Sequence, residues 1–184
     1  MKGKDRSLTG VTMILMGVGG AILYGWALDF VTAHFCIEYF TEWHPDIGVP
    51  PVGWMIALAW GVVASWHVGL IGAIIVTTAA RYGQLPKLDE RWLGPRLMGG
   101  LAVCYALSHS IGWVRHFTVI PNDDPVYHRL QTCLYIHNAT YATTGLLAFV
   151  LAGWAVVTRF NLGMAESRRS ILAEMRSMLP PGSE

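Results

Sequence analysis

Residues 8–40 read LTGVTMILMGVGGAILYGWALDFVTAHFCIEYF. A hydrocarbon layer of about 30 Å needs about 20 consecutive apolar residues in a helix, and this run supplies them before its polarity changes. At the far end the same stretch carries Asp29, His34, Cys36 and Glu38, and His44 follows shortly after. A membrane helix that ends in ionisable and metal-ligating side chains sets both the fold class and the functional question.

Three further apolar runs follow, over residues 52–80, 97–119 and 127–158, so the reading is an all-α, integral membrane four-helix bundle formed by residues 1–184 as one unit. Composition agrees. Of the 184 residues 53% are hydrophobic and 14% charged, against about 25% charged in ordinary soluble domains. The basic lead MKGKDR before an apolar run has the outline of a signal peptide. That run is too long and lacks a clear small-residue cleavage site, so a retained first helix is expected.

Lys and Arg set the orientation, because short loops rich in them stay on the cytoplasmic side. Lys2, Lys4 and Arg6 precede the first span, Arg81, Lys87, Arg91 and Arg96 surround the second loop, and Arg159, Arg168, Arg169 and Arg176 follow the fourth span. The other two connections carry only Arg115 and Arg129 beside Glu42, Asp46, Asp123 and Asp124. Both termini are therefore expected in the cytoplasm, and a bacterial inner membrane is the expected location. In the tail, residues 159–184, Ile171, Leu172, Met175, Met178 and Leu179 recur at helical spacing among Arg168, Arg169 and Arg176, which suggests an amphipathic helix lying on the membrane surface. Trp43, Trp54, Trp92 and Trp113 fall at span ends and read as an interfacial belt.

The glycine clusters at 17–20, 69–72 and 99–100 suit close helix packing. The three cysteines, Cys36, Cys104 and Cys133, form no CxxC pair and read as small packing residues. A net charge of +1 offers no surface for nucleic acid, so the expected partners are the lipid bilayer and either other membrane subunits or a second copy of the chain.

Seven histidines occur, and five of them lie inside the spans with Asp29 and Glu38. Ionisable groups in hydrocarbon are expensive and mark partners or wet cavities. His34 and Glu38 share one helix face by their spacing of four, as do His109 and His116 by their spacing of seven. At about 1.5 Å per residue, counting from the outer ends puts His34 about 14 Å deep and His109 and His137 about 16 Å deep. Counting from the inner ends aligns His137 with His116 and Asp29 instead. Either count allows His34, Glu38, His137 and one helix-three histidine, taken as His116, to converge. Three imidazoles and a carboxylate suit zinc, iron or copper, and imply metal-dependent redox or hydrolytic chemistry on a lipid-soluble or exoplasmic substrate.

Two alternatives remain open. His67 and His109 lie at similar depth and would ligate haem b in an electron-transfer subunit working with quinone, while the missing CxxCH excludes c-type attachment. Alternatively the same histidines, with Asn138, Thr140, Thr143 and Thr144, act as interhelical hydrogen-bonding glue in a non-enzymatic accessory subunit.

Overall fold

The computed structural model describes residues 4–120 and 124–178, with side chains from Leu8 onward. Lys2, Asp123, Leu179 and the side chains of Lys4 and Arg6 fall outside the described residues. Those described form helices and connections without a strand: α1 (Lys4–Phe35), α2 (Glu38–Thr41), α3 (Gly53–Val63), α4 (Trp66–Arg81), α5 (Glu90–Thr118) and α6 (Pro125–Ser177). Three of them, α1, α5 and α6, are long and apolar enough to cross a membrane. The α3–α4 pair, bent by 40° at its break, makes a fourth when taken as one span. In the most apolar windows of α1, α5 and α6 only 22%, 17% and 17% of residues are buried, so the apolar surface faces outward, as lipid requires.

The helix boundaries differ from the sequence expectation at four places. The first span stops at Phe35 rather than Phe40, because the chain turns at Cys36 and Ile37 and folds Tyr39 and Phe40 inward, each 4% exposed. The second is interrupted at Ala64 and Ser65. The third begins at Glu90, two turns before Leu97, since the Asp89 side chain caps it by accepting from the Trp92 N–H at 3.1 Å. Pro95 then removes one helical donor, and Arg96 supplies another by donating from Nη1 to the Trp92 carbonyl at 2.7 Å. The fourth, capped by Asp124 and led by Pro125, runs unbroken to Ser177. At 53 residues it is about 80 Å long, far more than a bilayer needs. The tail as far as Ser177 is thus a continuation of α6.

Packing is set by contact between backbones. α1 lies along α3, α4 and α5, while α6 lies along α5 and α4, so α1 and α6 meet across the centre mainly through side chains. The α1–α3 approach depends on Gly61, where an added Cβ would stand 2.6 Å from the Trp26 backbone nitrogen. Three apolar layers follow along the axis: Met13 with Val76, Leu93 and Leu151; Tyr24 with Leu28, Cys104 and Ile136; and Cys36 with Tyr39, Phe40, Ile56 and Cys133.

At the end nearest the termini, two arginines replace the expected belt. Trp92 is buried, and the Arg96 guanidinium stacks 4.8 Å from both the Trp92 and Trp154 rings. Arg159, only 4% exposed, donates to the carbonyls of Ala79 (2.6 Å), Tyr82 (2.6 Å), Leu85 (3.1 Å) and Pro86 (2.8 Å). One side chain therefore satisfies the last turn of α4 and the start of the connection to α5, groups a helix end leaves orphaned.

Arg159→Met keeps the aliphatic stem and strands these carbonyls. It should cost about 3 kcal/mol, read as a lowered melting temperature in detergent, and should open the α4–α5 connection to trypsin at Lys87. Arg159→Lys, with a single ammonium in place of a fork, should recover only part of the loss. Unchanged melting and cleavage in Arg159→Met would remove the clamp from this account.

Candidate functional site

Three histidines on α1, α5 and α6 repeat one local device. His34 Nδ1 lies 2.6 Å from the Phe30 carbonyl, His109 Nδ1 3.0 Å from that of Tyr105, and His137 Nδ1 2.8 Å from that of Cys133, each four residues back. A carbonyl only accepts, so each Nδ1 carries the proton and Nε2 is the nitrogen left for other partners. Such a histidine is well prepared to bind metal or haem iron.

The three Nε2 atoms go to three different places. That of His34 lies over Gly53, where an added Cβ would sit 3.1 Å away, and the residue is exposed. That of His109 is buried with no hydrogen-bond partner. That of His137 lies 3.0 Å from Asp29 Oδ1.

The other expected ligands are engaged elsewhere. Glu38 faces Arg129 at 3.8 Å and accepts from the Cys36 thiol at 3.3 Å. Its own backbone N–H, then that thiol and Arg129, hold its carboxyl below the ordinary value. His116 Nδ1 is 3.1 Å from Thr132 Oγ1, and since that hydroxyl donates to the His128 carbonyl at 3.0 Å, the imidazole is the donor. His128 in turn donates from Nε2 to the His116 carbonyl at 3.0 Å, while Arg115 Nη1 donates to His128 Nδ1 at 3.4 Å and to its carbonyl at 3.2 Å. This network ties the end of α5 to the start of α6.

His34, Glu38, His116 and His137 are therefore distributed over separate contacts. Among the described residues no three His, Cys, Asp or Glu side chains converge as a metal would require. His67, exposed on α4 beside Trp66, does not face His109, because α4 and α5 share no packed face.

What the fold does assemble is the Asp29–His137 pair. Asp29 is 4% and His137 7% exposed, and the pair joins α1 to α6 across the middle of the packed helices. α2 roofs it: the Tyr39 ring lies 4.7 Å from the His137 ring and that of Phe40 6.0 Å. His44 closes the roof, donating from Nδ1 to the Tyr39 carbonyl at 2.8 Å and packing on Trp60 at 4.9 Å. Water is kept out, which strengthens every polar contact beneath.

Proton counting then defines the chemistry. With Nδ1 committed to Cys133, a hydrogen bond between Nε2 and Oδ1 requires one proton between them, held either as imidazolium and carboxylate or as imidazole and carboxylic acid. Both forms are neutral overall, so the pair is buried without net charge while sharing one proton between atoms 3.0 Å apart. Asp29 was legible as an acid inside a span needing an explanation, but not as the partner of His137. Alongside this geometry, comparison with protein-family models, with characterised proteins and with solved structures finds nothing that matches the chain.

Proposed function

We propose that this is a membrane-integral acid–base protein: a bundle of four spans with cytoplasmic termini, in whose exoplasmic half the Asp29–His137 pair exchanges a proton with a lipid-soluble or exoplasmic substrate. The observation that carries the proposal is the 3.0 Å contact between His137 Nε2 and Asp29 Oδ1, with Nδ1 already bound to the Cys133 carbonyl. Interhelical glue alone does not call for an ionisable pair, since a neutral amide or hydroxyl joins helices at lower cost.

Infrared titration of the detergent-purified protein tests the pair. A carboxyl band assigned by its loss in Asp29→Asn should shift in His137→Gln, because one proton is shared. Asp29→Asn still offers an N–H to His137 and should cost only about 1 kcal/mol, whereas Asp29→Ala strands the imidazole and should cost about 3 kcal/mol or more. An Asp29 band indifferent to His137→Gln would reduce the pair to structural glue. Stoichiometric zinc, iron or copper, lost in both Asp29→Asn and His137→Gln, would make it instead half of a metal site and overturn the proton-pair assignment.

The orientation has its own test. Asp46→Cys should react with an impermeant thiol reagent added outside intact cells, and Lys87→Cys should not. The reverse pattern would put the pair in the cytoplasmic half.

A further inference from the structure

We propose that the cavity below the Asp29–His137 pair binds a neutral, lipid-soluble molecule with one oxygenated ring, of the quinone or quinol class. The cavity, about 110 Å³, lies among α1, α4, α5 and α6, with Ala64, Ser65, Val68 and Gly72 on one flank and Tyr141, Thr144 and Ala148 on another. Its volume is on the scale of a single ring, since an engineered apolar cavity of about 150 Å³ admits benzene. Its depth makes lipid the route of entry, because the α3–α4 pair and α6, which flank it, carry outward apolar faces.

Three observations favour an oxygenated ring over a plain acyl chain. The lining is largely apolar, with Tyr24, Thr140 and Tyr141 bringing hydroxyl-bearing side chains to one end of it, so it suits an apolar body with an oxygen at one edge. The Tyr24–Thr140 contact is long, at 3.4 Å, so a carbonyl or hydroxyl of a ligand offers Thr140 a better partner than Tyr24 does. The break between α3 and α4 falls at Ala64 and Ser65, in the cavity wall. Irregular backbone at membrane depth is tolerated where it is buried or lines a cavity, and broken helices mark binding sites in membrane proteins.

The cavity and the pair are also in register. Tyr24 precedes Asp29 by five residues on α1, and Thr140 and Tyr141 follow His137 by three and four on α6, which sets the ring's oxygen about one to two turns from the shared proton. The inference rests on the proton-pair proposal for what the ligand is for, though not for whether it binds.

Isothermal titration of the full chain in detergent with decylubiquinone is the test, with 1-decanol as the ringless control. One saturable site per chain is expected for the quinone. Tyr24→Phe and Thr140→Val should each weaken it about three- to tenfold, the loss expected for one hydrogen bond. Gly72→Leu projects a side chain into the cavity and should weaken binding about tenfold or more. An added Cβ at Gly72 meets only Ala148, at 3.6 Å, an ordinary contact; should the longer side chain misfold the protein, Ala148→Leu fills the space from the opposite flank. An Asp29 carboxyl band indifferent to His137→Gln, in a protein that still binds the quinone, would overturn the proton pair alone. No saturable quinone site in the wild type, binding indifferent to every lining substitution, or equal binding of 1-decanol would overturn the cavity assignment.

Discussion

The hydrogen bond between Asp29 and His137 is the constraint around which the α2 end is organised. α1 and α6 do not share a packed backbone face, so they are joined across the centre by side chains, of which this pair is the most polar and among the most buried. An ionisable pair in such surroundings persists only if both members are satisfied and water is excluded. The roof from Tyr39 to His44 follows from that requirement, and so does the end of α1 at Phe35, since a straight continuation would carry Tyr39 and Phe40 away from the pair.

The opposite end meets the same demand differently. There the unsatisfied groups are backbone carbonyls at the end of α4 and in its connection, and the solution is a buried guanidinium, which carries five donors in a fixed fork. Arg159 serves four carbonyls at once. The two ends thus differ in chemistry as well as position. The arginine end holds a fixed charge, whereas the aspartate–histidine end shares one proton between two buried groups.

The apolar runs made the spans legible, because about 20 lipid-compatible residues leave the chain few options other than helix. Their limits were less so. No proline or glycine marks the turn after Phe35, and the break at Ala64 lies in an unremarkable apolar string whose interruption follows from tertiary contact, with Gly61 pressed on Trp26 and an added Cβ at Gly25 blocked by Ser65 Oγ. This explains why the site was only half readable. Counting depth outward from Trp43 assumed α1 continued to Phe40 and so set His34 level with His137. Counting from the inner ends matched His137 with Asp29, although His116 belongs about one turn away, beside Thr132. Spacing groups His137 with His34, Glu38 and His116, whereas the fold sets it against Asp29, which spacing leaves without a partner.

The histidines show a more general limit on reading such sequences. Spacing reports which face a side chain occupies, but the carbonyl four residues back captures Nδ1 in His34, His109 and His137 alike, and only the surroundings of Nε2 then distinguish them. For His137 those surroundings impose a condition on any function. Taking the shared proton away leaves a carboxylate beside a neutral imidazole under an aromatic roof, a net charge in a buried site. Release of the proton must therefore be matched by arrival of another, or by a substrate whose own charge changes in the same event. A neutral, lipid-soluble partner that takes up or gives back a proton meets that condition, and a fixed ion on the exposed surface does not.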